Sequence, residues 1–201
     1  MLSETTEPSE RFAHSEGYTA VKFSYDGIYF FTGGNDSLVR AFKTDKSERD
    51  QEAQTLEYHS DAVLAFDVGR NKLITCGQDA VSFSFRVPMH NDDHNQQISP
   101  EGTVARSTLT ICDVSVSANG LLVAVAAHEN TVSIVSLIDM TIVYKLEGHP
   151  GPVNSVDFSS DSRYLASAGC DGTIKIWDMQ MDAPDCIQTL ERFSPACPVG
   201  D

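Results

Sequence analysis

The feature that most constrains the fold of this chain is a unit of roughly 40 to 45 residues that recurs along it. Its clearest copy, residues 148–178, contains alternating apolar residues and an Asp-Gly turn. The same order recurs 135 positions earlier in residues 14–42 and 42 positions earlier in residues 107–135, while residues 59–85 fit with a one-residue gap near residues 78–79. Alternation with a period of two and Asp-Gly turns are typical of short antiparallel strands. The chain is therefore predicted to be an all-β repeat protein of about four units.

The two ends of the clearest unit indicate which type of repeat this is. Gly148 and His149 begin the unit, and Trp177 and Asp178 end it. Repeats of this length, built from four strands and bounded by Gly-His and Trp-Asp, are the signature of WD-repeat β-propeller blades. Residues 14–193 resemble that family, so the predicted fold is a WD-repeat β-propeller with about four blades.

The number of blades bears on whether the ring is complete. WD-repeat rings usually have seven blades, so the resemblance implies an incomplete ring, with a closed four-bladed ring as the alternative. We expect residues 1–13 to form an N-terminal extension, residues 14–193 the four blades, and residues 194–201 the C-terminal tail of a truncated chain or of one portion of a longer protein. An isolated set of four blades should carry unpaired edge strands at both ends and should tend to associate.

A short motif marks the change from one unit to the next. Its copies share a Leu-Glu pair and lie at residues 55–59, 145–149 and 189–193. The third copy is expected to open a fifth unit, which Pro195 and Pro198 then interrupt, because proline cannot donate a hydrogen bond to a strand ladder.

In WD-repeat blades, a His, a Ser or Thr, an Asp and a Trp form a hydrogen-bonded chain. The resemblance places this chain on His149, Ser167, Asp171 and Trp177. A carboxylate is costly to bury alone, whereas the imidazole, hydroxyl and indole groups would give it and one another partners. These residues are therefore expected to hold the blade together.

The other units keep these positions only in part. The first unit has His14, Thr32 and Asp36 but Phe42 in place of the Trp, so its network should be shorter. The third unit is expected to depend on apolar packing, because its residues at these positions are Ser107, Val125, Glu129 and Val135.

Two groups of residues also fit other chemistry. The types found at His149, Ser167 and Asp171 form hydrolase triads elsewhere, but here they recur by blade and lack a strained nucleophile turn, so no enzyme is predicted. His90 and His94, with two Asp between them, could bind a metal; closed metal sites usually recruit ligands from separated elements, so a solvated loop is the simpler interpretation. No cofactor is predicted, since the sequence has no glycine-rich phosphate loop.

The charge and the cysteines limit the partners and the compartment. Lys and Arg total 14 against 29 Asp and Glu, a formal net charge of −15. Such a surface repels phosphate backbones and anionic lipids, so other proteins are the expected partners rather than DNA or a membrane. The five cysteines are scattered without Cys-x-x-Cys spacing, which favours reduced thiols in the nucleus or, as the alternative, the cytoplasm.

Three stretches are similar to one particular family of WD-repeat proteins: residues 11–19, residues 32–40 and residues 148–172. They resemble the N-terminal propeller of the chromosome transmission fidelity family, replisome adaptors also described as acidic nucleoplasmic DNA-binding proteins of the WD-repeat and HMG-box type. The resemblance implies a nuclear, non-enzymatic scaffold for DNA replication, chromatin and sister-chromatid cohesion. It also implies the replicative helicase and DNA polymerase alpha as partners.

A second function is compatible with the same fold. WD-repeat rings also serve as substrate receptors or adaptors of complexes such as ubiquitin ligases, and those receptors often carry Trp-Asp-x-Arg. This chain has Gln180 where that motif has Arg, which disfavours the receptor but leaves it as the alternative.

Overall fold

The computed structural model describes residues 14–45, 53–89, 97–181 and 183–191. Within these ranges the chain forms sixteen strands in four antiparallel sheets, with no helix. Each sheet consists of four consecutive strands in the order of the sequence. The all-β class and the predicted grouping of strands in fours are therefore confirmed.

The strands of the first two sheets are as follows. Sheet 1 contains β1 (Tyr18–Phe23), β2 (Tyr29–Gly34), β3 (Val39–Lys43) and β4 (Gln54–Leu56). Sheet 2 contains β5 (Val63–Val68), β6 (Lys72–Gly77), β7 (Val81–Arg86) and β8 (Ser99–Arg106).

The last two sheets have the same organisation. Sheet 3 contains β9 (Ile111–Val116), β10 (Leu122–Ala127), β11 (Thr131–Ser136) and β12 (Ile142–Glu147). Sheet 4 contains β13 (Val153–Phe158), β14 (Tyr164–Gly169), β15 (Ile174–Asp178) and β16 (Asp185–Leu190).

The turn between the first two strands has a common design in sheets 1, 3 and 4. A serine hydroxyl donates to the side-chain oxygen two residues later, and the serine oxygen accepts the amide that begins the second strand. Ser and Asp or Asn favour such turns because their short side chains bond to nearby backbone. The pairs are Ser24 with Asp26, Ser117 with Asn119, and Ser159 with Asp161.

Sheet 2 has a shorter turn at this place. Val68 pairs with Leu73 across it, whereas Phe158 pairs with Leu165 in sheet 4, so sheet 2 is two residues shorter here. From Leu73 to Phe85 it then follows sheet 4 without interruption. The predicted one-residue gap near residues 78–79 is therefore wrong, because the missing residues lie in the first turn.

The third copy of the Leu-Glu motif, residues 189–193, also lies in a different part of the fold from the one predicted. Thr189 and Leu190 belong to β16 and pair with Lys175 and Ile174 of β15. The prediction that this motif opens a fifth unit is wrong for these two residues, which instead complete the fourth strand of sheet 4. Residues 192 and 193 of the third copy lie outside the described residues, as do the expected extension at 1–13 and tail at 194–201.

The core consists of three apolar layers, each between two consecutive sheets. One layer joins sheets 1 and 2, one joins sheets 2 and 3, and one joins sheets 3 and 4. Sheets 2 and 3 are thus covered on both faces, as neighbouring residues such as Leu73 and Ile74 show by being fully buried. The described sheets form an open arc rather than a closed four-bladed ring.

The open ends of this arc are sheet faces. Blades pack face to face, so a missing neighbour uncovers a face, and every sheet has an inner and an outer edge strand whatever its neighbours. Sheets 1 and 4 therefore do have unpaired edge strands, but so do sheets 2 and 3; the tendency of the chain to associate stays a prediction.

Candidate functional site

The residues that the sequence singled out in the fourth unit meet beside β14. The Trp177 indole Nε1 donates to Ser167 Oγ over 2.9 Å, Ser167 Oγ lies 2.8 Å from His149 Nε2, and His149 Nδ1 lies 2.7 Å from Asp171 Oδ2. The distances fit a hydrogen bond from His149 Nδ1 to the carboxylate and one from the serine hydroxyl to His149 Nε2. The four side chains are all buried or nearly so.

Asp171 is the charged end of this chain. Burial acts to raise its pKa, but hydrogen bonds from Thr173 and His149 outweigh burial and lower the pKa from 3.8 to about 2. Both the Thr173 hydroxyl and its amide donate to Asp171 Oδ1 over 2.7 Å. The carboxylate therefore fixes the β14–β15 turn and the imidazole together.

Sheet 1 carries a shorter form of the network. His14 Nε2 lies 2.9 Å from Thr32 Oγ1, and His14 Nδ1 lies 2.6 Å from Asp36 Oδ1. Phe42, in the Trp position, stacks on Phe30 with ring centroids 4.8 Å apart and has no indole to donate.

An arginine supplements this shorter network. Arg40 Nη1 donates to Asp36 Oδ2 over 3.1 Å and lies beside His14. Burial acts to raise the pKa of Asp36, but His14 and Arg40 together lower it. A guanidinium thus compensates a buried carboxylate where sheet 4 uses a threonine.

Sheet 2 contains a third network, which the sequence analysis missed. His59 Nε2 lies 2.8 Å from Thr75 Oγ1, and His59 Nδ1 lies 2.9 Å from Asp79 Oδ2. Burial lowers the pKa of His59, although Asp79 acts to raise it. Phe85 occupies the Trp position. The signal was present in the sequence, since Thr75 and Asp79 have the same four-residue spacing as Ser167 and Asp171.

Sheet 3 keeps one polar bond at these positions. Val125 and Val135 are buried in the apolar layer towards sheet 2, in line with the prediction of apolar packing. Ser107 Oγ, however, donates to Glu129 Oε1 over 2.7 Å, and this bond is the main cause of a lowered pKa of Glu129. Sheet 3 therefore adds one polar bond, between Ser107 and Glu129, to the predicted apolar packing.

Polar side chains on the inner strands connect consecutive sheets. Asp67 Oδ1 accepts from Lys22 Nζ of sheet 1 over 2.6 Å, and Asp67 Oδ2 accepts the Val116 amide of sheet 3 over 2.8 Å. The sequence analysis missed Asp67, because a charged residue in a strand that alternates polar and apolar residues is normally interpreted as facing solvent. The sequence does contain an indication of its role, because the aligned inner strands carry a charged residue at the same position: Lys22, Asp67 and Asp157.

The same arrangement connects sheet 3 to sheet 4. Asp113 Oδ2 accepts the Ser155 hydroxyl over 2.7 Å and the Val156 amide over 3.1 Å, and Ser115 Oγ accepts the Phe158 amide over 3.1 Å. Burial raises the pKa of Asp113. The inner strands β5 and β9 thus offer side-chain oxygens to backbone amides of the following sheet.

The networks are built for cohesion rather than for reaction. Ser167 Oγ is buried and bonded on both sides, so a substrate has no approach to it. Related networks recur in three sheets. Among the described residues, no group of three His, Cys, Asp or Glu is placed to hold a metal ion. The His90 and His94 loop lies outside those residues. The described ranges contain no helix long and apolar enough to cross a bilayer.

Comparison with known proteins agrees with this architecture. A family model described as the WDHD1 first WD40 domain matches residues 11–199. The chain belongs to this WDHD1 family. Its WD40 repeats are thus the blades described above, and the family resemblance noted in the sequence is confirmed. WD40 propellers generally serve as non-enzymatic scaffolds for binding other proteins.

Individual WDHD1-family relatives are similar over most of this chain. Minichromosome loss protein 1 of Schizosaccharomyces pombe is 27% identical over 93% of the chain, and WD repeat and HMG-box DNA-binding protein 1 of Xenopus laevis is 28% identical over 90%. The chain spans only 22% and 15%, respectively, of the lengths of these two relatives.

A solved structure shows the same fold. A chain in the crystal structure of the mitotic checkpoint complex superposes on this WDHD1-family chain with a TM-score of 0.75 at 20% identity, over 89% of this chain and 52% of the other.

Proposed function

We propose that this chain is a non-enzymatic protein-interaction scaffold of DNA replication and chromatin that works in the nucleus. The observation that carries the proposal is the match of the WDHD1 first WD40 domain to residues 11–199. Two relatives bear names that concern chromosomes or DNA, Minichromosome loss protein 1 and WD repeat and HMG-box DNA-binding protein 1. These names support a role on chromosomes, and we propose DNA replication and sister-chromatid cohesion as the processes concerned.

The positions of the histidine and hydroxyl side chains support a scaffold rather than an enzyme. In sheets 1, 2 and 4, the histidine and the hydroxyl residue of each network are buried and hydrogen bonded to one another. The blades present their loops and strand edges outward, which suits docking of other proteins.

The proposed partners are proteins, in particular the replicative helicase and DNA polymerase alpha. With a formal net charge of −15, the chain is expected to be repelled by duplex DNA, because binding to phosphates depends on cationic side chains. Any DNA binding by a longer relative would then depend on its other segments.

The proposal is tested by affinity capture from nuclear extract with the tagged chain as bait. We expect subunits of the replicative helicase or of DNA polymerase alpha to be enriched. The matched control is the double variant His149→Ala, Asp171→Ala, which breaks the network of sheet 4 without adding charge and should lose capture in proportion to its loss of folded signal.

Two outcomes would contradict the proposal. If no replication component is enriched while ubiquitin-ligase subunits are, the chain is a substrate receptor or adaptor of that kind instead. If the purified chain alone binds duplex DNA at physiological salt, the assignment of proteins as its direct partners is wrong.

A further inference from the structure

Sheet 3, which is covered on both faces, carries a group of large apolar side chains that solvent reaches at one end. We use lower end for the end of the arc at which β9 turns into β10 and β11 turns into β12. Leu121, Ile138 and Ile142 lie there and are 47%, 78% and 49% exposed. The cross-strand neighbours of Leu121 and Ile142 are buried in the layer between sheets 2 and 3. These two side chains therefore lie at the rim of that layer.

The other blades indicate that the fold does not require apolar residues at these positions. The backbone oxygen of Leu121 accepts the amide that follows β11, as those of Asn71 and Arg163 accept the matching amides in sheets 2 and 4. Ile138 has the turn position of Gln180 in sheet 4, because each amide bonds to the side chain of the last residue of the preceding strand. Polar residues thus serve the same turns elsewhere. Exposed apolar groups that folding does not explain commonly mark interaction sites.

The adjoining end of sheet 2 is basic, although the net charge of the chain is −15. Arg70 lies in the β5–β6 turn, and Lys72 and Arg86 are cross-strand partners. Lys72 and Arg86 face sheet 3, because Ile74, two residues further along β6, is buried in the layer between the two sheets. Lys72 Nζ donates to the backbone oxygen of Leu137 over 3.3 Å, which places these cations beside the apolar group of sheet 3. The two arginines are exposed, and neither forms an ion pair within the described ranges.

Two carboxylates lie in the same region, and both already have hydrogen-bond donors. Glu101 accepts from Lys72 over 2.7 Å and from Ser84 over 2.8 Å. Burial acts to raise the pKa of Glu101, but these hydrogen bonds lower it. Asp139 accepts from the Thr141 hydroxyl over 2.9 Å. The guanidinium groups of the two arginines are therefore available to carboxylates of a partner.

We call the exposed apolar and guanidinium side chains of this region the lower patch; its members are Leu121, Ile138, Ile142, Arg70 and Arg86. We propose that the lower patch binds a segment of a partner protein that combines acidic residues with large apolar ones. Apolar contacts and arginine are characteristic of protein interfaces, and a guanidinium pairs well with a carboxylate. The inference rests on the proposed function only in taking a protein as the occupant.

The test is selection of a random peptide library displayed on phage against the complete 201-residue chain, followed by fluorescence anisotropy with the enriched peptides. The double variant Leu121→Asn, Ile138→Gln introduces the side chains that sheets 2 and 4 carry at these positions, so both turns should remain intact. Its matched control is Leu109→Asn, because Leu109 is 48% exposed at the opposite end of sheet 3. The fluorescence of Trp177 and far-UV circular dichroism verify that all variants fold.

We expect the enriched peptides to contain both acidic and large apolar residues. The double variant should bind them about tenfold more weakly or worse, because the lower patch loses two apolar contacts. Leu109→Asn should bind them as the unmodified chain does.

The charge of the lower patch gives a second measurement with the same peptides. Arg86→Gln should weaken binding and make the affinity less dependent on salt, because ions screen the attraction between exposed charges. Its matched control is Arg106→Gln, which removes an exposed cation at the other end of sheet 2 and should change neither quantity.

Four outcomes would overturn the inference. They are a selection that enriches no peptide, enriched peptides without acidic or without apolar residues, equal affinity of the double variant and Leu109→Asn, and displacement of the peptides by duplex DNA. None of these outcomes alters the capture of replication proteins from nuclear extract, and failure of that capture leaves the peptide affinities unchanged, so the two proposals are tested separately.

Discussion

Removal of the Ser167 hydroxyl tests how the network of sheet 4 stabilises the blade. This hydroxyl connects the Trp177 indole to His149, with distances of 2.9 and 2.8 Å. Ser167→Ala leaves two buried groups, the indole N–H and His149 Nε2, without their partner. Each unsatisfied buried group costs about 1–3 kcal/mol, so we expect the free energy of unfolding to fall by about 2–6 kcal/mol.

The first sheet offers a matched comparison. Thr32 bonds to His14 in the same way, but Phe42 has no indole that depends on it. Thr32→Val keeps the shape of the side chain and leaves only His14 Nε2 unsatisfied, so we expect the free energy of unfolding to fall by about 1–3 kcal/mol, half the loss for Ser167→Ala. The difference between the two losses in free energy of unfolding measures the contribution of the hydrogen bond from the Trp177 indole.

The assay is equilibrium unfolding in urea, followed by far-UV circular dichroism for the whole chain. Trp177 is the single tryptophan and is buried in sheet 4, so its fluorescence reports on that sheet separately. A double-mutant cycle adds Trp177→Phe. In that background the loss of free energy of unfolding caused by Ser167→Ala should be smaller, by about 1 kcal/mol or more, than in the unmodified chain, because the indole donor is already absent.

Two results would refute this reasoning. One is a loss for Ser167→Ala equal to or smaller than that for Thr32→Val. The other is strict additivity of Ser167→Ala and Trp177→Phe in the cycle, which would mean that the indole does not depend on the hydroxyl.

Three further changes test other parts of the structure. Ser82→Ala should raise the free energy of unfolding by about 1 kcal/mol in the same urea assay. The reason is that the Ser82 hydroxyl is the one buried side-chain oxygen without a hydrogen bond among the described residues; a loss of stability would contradict this. The pKa of Asp171 is about 2 in the folded chain against 3.8 ordinarily, so the stabilisation that this carboxylate provides is present above about pH 4 and is lost as the pH falls towards 2. Asp171→Asn should therefore make the urea midpoint decline less over that range. An equal decline in the variant would show that Asp171 does not cause it. Gly169→Ala should lower the thermal midpoint, since its Cβ would lie 2.7 Å from His149 Nδ1, whereas Gly151→Ala, whose Cβ would meet nothing closer than 3.5 Å, should leave it nearly unchanged.

The sequence revealed those parts of the fold that depend on local pattern. Alternation and turn residues indicated the four units, and the ungapped match of residues 14–42 to the fourth unit pointed to His14, Thr32 and Asp36. The network of sheet 2 was missed for a local reason as well: two residues are missing from its first turn, and a gap placed too late in the unit separated His59 from its partners.

Other features depend on contacts between sheets and were not visible in one strand. Asp67 and Asp113 accept backbone amides of the following sheet, which no periodicity within their own strands indicates. The Ser107 and Glu129 bond was also missed, because Glu is longer than the Asp of the other blades and reaches a hydroxyl where those blades have histidine.

The three apolar layers cover the two middle sheets of the arc more completely than the two outer sheets. Among the described residues, sheets 2 and 3 lie between two neighbouring sheets, while sheets 1 and 4 each pack against one. In arrays whose units contact only their neighbours, terminal units lose one stabilising interface and open first. Backbone amides of β2 and β15 should therefore exchange with deuterium faster than those of β6 and β10, so that local opening begins at the two termini of the array and moves inward.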